Sequence, residues 1–148
     1  MKIPHDATNL ERDLIADEGV SRLPYEDSKG ILSVGIGHNL EAPMSDRLMM
    51  LIFREDLRVA TMEAERNLPY LRGLDPVRRD AILNMAFNMG FPRFLSFVKM
   101  HAAMERGDYD TAADEAKDSK WYREDVQKSR SERIIHMIRT GRRPRNGS

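Results

Sequence analysis

Cysteine is absent from the 148 residues, which removes disulfide scaffolds and thiolate metal sites from consideration. Long apolar runs are absent as well. No stretch of 18 hydrophobic residues occurs, and the opening MKIPHDATNLERD has no apolar core of the signal-peptide kind. The expectation is a soluble protein made in the cytoplasm, with no signal peptide or transmembrane segment. Net charge is also lacking, with 24 Lys+Arg against 24 Asp+Glu, which argues against a generic nucleic-acid binder. Aromatics make up 7% of the chain, with a single Trp, and ten Met outnumber five Phe. The expected core is therefore Met-rich and adaptable. The length fits one structural unit, with room for a division into two lobes.

The zero balance hides an asymmetry. From Lys120 to Ser148 nine basic residues face three acidic ones, so this segment carries +6 and residues 1–119 carry −6. Such an end suits contact with an anionic polymer or membrane surface; it equally suits a solvated helix face followed by a frayed tail. The final RRPRNGS, residues 142–148, has no apolar periodicity and reads as a disordered basic tail.

Helix signals dominate the rest. Thr8-Asn9-Leu10-Glu11 is a capping box, and Gly19 is placed to terminate the helix it starts, so that helix ends at Asp17-Glu18. The stretch LPYEDSKGILSVGIGH has strand chemistry and reads as a hairpin around Asp27-Ser28-Lys29-Gly30. In its second strand Leu32, Val34 and Ile36 point one way; Ile31, Ser33, Gly35 and Gly37 point the other. The small-residue face is poor core, but it lets a ligand approach the backbone closely. Ser45-Asp46 start a long helix that stops before Pro69, and Asp75-Pro76 start another that Gly90 ends. On that second helix Asn84 and Asn88 form a stripe apart from the apolar set. Further helices are expected over 93–106, 110–118 and about 126–140, the last closed by Gly141. No internal repeat is present.

Two carboxylates draw attention before any family is considered. Glu18 falls in the last turn of a helix, where the macrodipole disfavours negative charge. With partial burial, that favours its protonated form. Asp27, in a polar turn nine residues on, is expected to stay ionised, and Ser33 adds a hydroxyl six residues further. The set suits holding a glycosidic oxygen and a water on opposite sides of a cleft. Equally, an Asp in a DSKG turn is commonly a turn former and nothing more.

The segment DEGVSRLPYEDSKGILSVGIGH resembles the active-site region of phage-type lysozymes, glycoside hydrolase family 24. That family's pattern is Glu, eight residues, Asp or Cys, five residues, Thr; here Glu18 and Asp27 match and Ser33 takes the third place. The resemblance continues through LDPVRRDAILNMAFNMG, SKWY and the final RTG, from Leu10 to about Gly141. It implies a mostly helical α+β, lysozyme-like fold in two lobes. A small N-terminal hairpin lobe (about 8–44) would be joined by a long helix (about 45–67) to a helical C-terminal lobe (about 68–141), with the first helix packing near the latter.

The resemblance also implies hydrolysis of the β-1,4 bond between N-acetylmuramic acid and N-acetylglucosamine in bacterial peptidoglycan, by inversion and without cofactor or metal. Glu18 would protonate the leaving oxygen, Asp27 would act on the attacking water, and Ser33 would help hold it. Asn88 stands where a cleft-lining Gln occurs in the family, and Gly35 and Gly37 would let substrate approach. Arg130 aligns with an arginine that pairs with the catalytic Glu, and His38 with a structural ion-pair former. Trp121 is expected in the core. Serine in place of threonine keeps the hydroxyl but loses the β-methyl that restricts its rotation. The short interval Asn39–Met44 implies a reduced N-terminal lobe and a more open cleft. The expected role is that of an endolysin held in the host cytoplasm until a holin-type lesion releases it, since a baseplate relative would need further domains. A monomer is expected, with peptidoglycan as partner, an anionic outer-membrane surface as a further one through the basic end, and no nucleic acid. The alternatives are a lytic transglycosylase using Glu18 alone and a non-catalytic wall- or membrane-binding protein.

Overall fold

A computed structural model describes residues 1–144, the side chain of Asp125 apart. The chain forms two compact units, Met1–Met50 and Leu51–Ser148, and the boundary falls inside a long helix. The fold class is mostly helical α+β.

In the first unit the capping box forms as its sequence predicts. The Thr8 hydroxyl accepts the Glu11 N–H at 3.2 Å, and the Glu11 carboxylate accepts the Thr8 N–H at 2.7 Å. These bonds satisfy two donors that the first turn would otherwise leave orphaned. Helix α1 (Asn9–Glu18) then ends at Gly19, whose φ of 71° is open chiefly to glycine. Three strands follow, β1 (Ser21–Glu26), β2 (Leu32–Gly35) and β3 (His38–Asn39), in an antiparallel sheet of order β1-β2-β3. Tyr25 pairs with Ser33 and Glu26 with Leu32; the register then slips before Ser21 meets Gly35. Pro24, which has no N–H to offer the ladder, lies within that slip. The short third strand goes beyond the hairpin expected, with Asn39 opposite Ser33 and His38 opposite Val34.

The side-chain alternation of β2 holds, but burial favours the small-residue face. Leu32 is 44% exposed and Ile36 38%, whereas Ser33 is 3% exposed and is the one buried residue among 1–50.

Helix α2 (Asp46–Asn67) starts where Ser45 Oγ accepts the Leu48 N–H at 3.2 Å, and of its 22 residues only Ala64 is buried. A 3₁₀ turn over Pro69–Gly73 leads to α3 (Pro76–Met89), capped by Asp75, whose Oδ1 accepts the N–H groups of Val77 and Arg78. The single helix expected over 93–106 is instead two, α4 (Phe91–Leu95) and α5 (Val98–Glu105). Ser96 breaks it: its N–H and its hydroxyl both donate to the Arg93 carbonyl, at 3.1 and 2.6 Å, and tighten the turn before Phe97 leaves helical backbone at ψ 51°. Helix α6 (Tyr109–Lys117) starts one residue earlier than expected because Asp108 is its cap. A π-turn over Trp121–Asp125 delays α7 to Lys128–Thr140, which ends at left-handed Gly141 as foreseen.

These helices enclose the core. Leu71, Ile82, Met85, Phe94, Met100, Met104, Trp121, Ile134 and Ile138 are all at most 1% exposed except Met104 at 2%. Four methionines (85, 100, 104 and 137) are among its members, as the composition suggested. Arg78 ties its ends together: it donates to the carbonyls of Ile138 and Arg139 at 2.7 and 3.0 Å, pairs with Asp75, and lies 3.7 Å from the Tyr109 ring centroid.

Part of the basic excess near the C-terminus is answered within this unit, where Arg123, Arg139 and Arg143 meet acidic residues from outside the segment. Lys120 pairs with Glu124, Arg123 with Asp118, Lys128 with Glu132, Arg139 with Asp110 and Asp114, and Arg143 with Asp80. The described part of the tail is thus anchored at Arg143, and residues 145–148 lie outside the described residues. Among the described residues no helix is long and apolar enough to cross a membrane.

Candidate active site

Glu18 is the last residue of α1, and Gly19 turns the chain away immediately after it. Its carboxylate lies against the turn between β2 and β3. A β-carbon built on Gly37 would stand 3.0 Å from Glu18 Oε2 and 3.4 Å from its carboxyl carbon. Gly37, expected to admit substrate, therefore makes room for the Glu18 carboxylate itself, and its φ of 66° is a second reason for glycine there. The partial burial expected of Glu18 is not found: it is exposed, because α1 buries none of its residues. Gly35 also has positive φ, at 71°, but nothing lies within 4 Å of where its β-carbon would be.

Asp27 follows β1 directly and organises the turn into β2. Its Oδ1 accepts the N–H groups of Lys29 at 2.8 Å and Ile31 at 2.9 Å. Its own N–H donates to the Ile31 carbonyl at 3.0 Å, and its carbonyl accepts the Gly30 N–H at 3.0 Å. Asp27 is thus a turn former, as one reading of DSKG held, and the same bonds act on its charge. The Ile31 N–H first, then that of Lys29, holds the carboxyl below the ordinary aspartate range by stabilising the ionised form. Ser33 sits two residues further along β2, buried, with its hydroxyl donating to the Ile31 carbonyl at 3.3 Å. Asp27 and Ser33 therefore share one intermediary, the backbone of Ile31, which periodicity alone does not single out.

His38 occupies β3 opposite Val34 and is exposed, and no carboxylate of residues 1–50 pairs with it. The remaining expected residues lie in the second unit. Asn88 Oδ1 accepts the indole N–H of Trp121 at 2.8 Å, so half of the amide expected to meet substrate is committed to packing. Trp121 is 1% exposed and belongs to the core, as expected. Arg130 donates through Nε to Asn84 Oδ1 at 2.9 Å. It lines a cavity of about 620 Å³ with Asn84, Arg133 and Phe87 among the walls. Asn84, given no role beforehand, thus orients Arg130; the signal was the Asn84–Asn88 stripe, whose two members hold Arg130 and Trp121 in turn. Among the described residues no group of three or more His, Asp or Glu side chains is arranged to hold a metal ion.

This geometry can be set beside known proteins. The family model described as phage lysozyme matches residues 16–134, a span that contains Glu18, Asp27, Ser33, Asn88 and Arg130. The probable T4-type lysozyme 1 of Dictyostelium discoideum is 31% identical over 156 residues, covering 84% of this chain and 90% of that protein. The probable T4-type lysozyme 2 of the same organism is 26% identical, over 90% of this chain and 95% of its own. The pre-baseplate central spike protein Gp5 of Enterobacteria phage T4 is 30% identical over 84% of this chain, in an alignment that takes 26% of that protein. With most of the chain matched by the family model and by a relative of 31% identity, this protein is a member of the phage lysozyme family.

Proposed function

We propose that this chain is a muramidase endolysin that cleaves the β-1,4 bond between N-acetylmuramic acid and N-acetylglucosamine by an inverting, single-displacement reaction. Membership of the lysozyme family supports peptidoglycan hydrolysis of the muramidase type. The observation that carries the assignment of roles is the contrast between the two carboxylates. Asp27 has one oxygen that accepts two backbone N–H groups, which keep it ionised, whereas Glu18 rests on a glycine turn and accepts no backbone N–H among the described residues.

In this reading Glu18 gives its proton to the glycosidic oxygen as the C1–O4 bond breaks. A water on the opposite face attacks C1, and its proton passes to Asp27, with Ser33 holding the same water. Inversion requires a carboxyl separation of about 6.5–9.5 Å, enough for that water. The protein would act on the wall at the end of infection, after a membrane lesion gives it passage.

Mass spectrometry of products from purified peptidoglycan tests the proposal. Reducing muramic-acid ends are expected from the wild type, with a loss of about 10²–10⁴-fold in both Glu18→Gln and Asp27→Asn. Anhydromuramic ends that survive Asp27→Asn would identify a lytic transglycosylase instead. Intact glycan beside retained wall binding would mean a lysozyme fold kept for attachment.

A further inference from the structure

We infer that the backbone of Ile31 is a positioning element for the attacking water, its N–H fixing which oxygen of Asp27 is reactive and its carbonyl fixing the direction in which the Ser33 hydroxyl bonds. The inference rests on the hydrolytic reading above.

A water that attacks carbon must turn a lone pair to the electrophile, and that orientation is held best when both of its hydrogens are engaged. Both neighbours of the water must then be acceptors. An aspartate oxygen always accepts, but a serine hydroxyl is free to donate instead, and a donating hydroxyl would occupy the lone pair needed for attack. In this protein the single O–H of Ser33 is committed to the Ile31 carbonyl at 3.3 Å. Oγ therefore meets the water with lone pairs only. The same carbonyl also accepts the Asp27 N–H at 3.0 Å, which holds it in place at the turn.

On the other side of the residue, the Ile31 N–H binds Asp27 Oδ1 at 2.9 Å beside that of Lys29 at 2.8 Å. With two N–H donors already on Oδ1, Oδ2 is the oxygen left to take the water's second hydrogen. The two backbone groups of one residue thus set the polarity of two side chains six residues apart in sequence. It also supplies by hydrogen bonding what serine lacks by shape, since without the β-methyl of threonine the Ser33 rotor has no steric reason to hold one direction. Burial of Ser33, at 3% exposure, removes competing bulk water from that hydroxyl.

The N–H and the carbonyl of Ile31 belong to adjacent peptide groups and are separable by backbone ester substitution in the full-length protein. Replacing Ile31 by its α-hydroxy acid deletes the N–H and keeps the side chain. Replacing Leu32 by its α-hydroxy acid turns the Ile31 carbonyl into a poorer ester acceptor. For the first, the acidic limb of the kcat/KM profile on soluble glycan-peptide fragments is expected to move up by roughly half to one pH unit. For the second, that limb is expected to stay while kcat falls about threefold to tenfold with KM unchanged. A folded Ile31 ester with an unmoved acidic limb, or a folded Leu32 ester with wild-type kcat, would reduce Ile31 to an ordinary turn residue.

Amide NMR of the unaltered protein provides a readout that needs no variant. The Ile31 amide proton is expected to titrate together with the Asp27 carboxyl, at a midpoint below the ordinary aspartate range. An Ile31 amide flat through that titration would overturn the inference even if both esters fail to fold. If the wild type forms no reducing muramic ends, it is the hydrolytic reading that fails, and the amide titration still reports separately on the clamp.

Discussion

The two units use their polar groups for opposite ends. In residues 51–148 buried polar atoms serve packing. The Trp121 indole is answered by Asn88, and the buried His101 is held between the Tyr70 hydroxyl at 2.9 Å and the Phe94 carbonyl at 2.8 Å. Every buried hydrophobic residue of the described chain lies at Ala64 or beyond. In residues 1–50 the only buried residue is Ser33, and the hydrogen bonds converge on Asp27. What this teaches is a division of labour: one unit supplies cohesion, and the other holds a few polar groups in strict directions with little core beneath them. Damage to the first should be read as stability, and damage to the second as rate.

The largest effect that separates the two is expected at Trp121. Trp121→Ala should cost about 3–5 kcal/mol of unfolding free energy by urea denaturation, since it opens a cavity and strands the Asn88 amide. At low temperature the folded fraction should still make the wild-type product. A variant that kept its stability but lost turnover would break the division.

A sharper comparison lies within the first unit, between two glycines of similar positive φ. Gly35→Ala and Gly37→Ala both force a side chain into positive φ, and each should lose about 1–2 kcal/mol. Only at Gly37 would the new β-carbon press on the Glu18 carboxylate, at 3.0 Å. Turnover is expected to fall by about 10–100-fold in Gly37→Ala and to stay near wild type in Gly35→Ala. Equal losses in both would return Gly35 to a direct role in substrate contact.

The smallest effect is a pH dependence of the cohesive unit. Burial lowers the pKa of His101, partly opposed by its bond to the Phe94 carbonyl. That carbonyl can only accept, so Nε2 carries the proton and Nδ1 receives the Tyr70 hydroxyl. A folded-state value below the unfolded one means that the unfolded chain takes up the proton first. Stability is therefore complete above about pH 6.5 and declines as pH falls from there through the lowered value, with a slope under the ~1.4 kcal/mol per pH unit that one proton allows. Urea denaturation at pH 7.5 and 5.5 should show that decline in the wild type and lose most of it in His101→Gln. An equal decline in both would place the acid sensitivity elsewhere.

Much of this molecule was legible from residues a few positions apart. The Thr8–Glu11 capping box, the Asp75-Pro76 start and the glycine stops at 19, 90 and 141 all form as read, because a cap or a terminator is settled by bonds spanning at most four residues. The Glu18, Asp27 and Ser33 spacing pointed to the family for the same reason, since one helix end and one hairpin carry all three. Within-segment chemistry determined the helices, the hairpin and the identity of the candidate carboxylates.

Only the tertiary structure decided the rest. The partner of Asn88 is 33 residues away and that of Arg130 is 46 residues away. No local pattern says whether an exposed-looking amide will meet a sugar or an indole. The burial of Ser33 in place of Leu32 likewise went against apolar periodicity. Periodicity records which residues prefer to be covered. What covers them, and which way a hydroxyl or carboxylate then has to bond, depends on groups that the fold brings in from elsewhere.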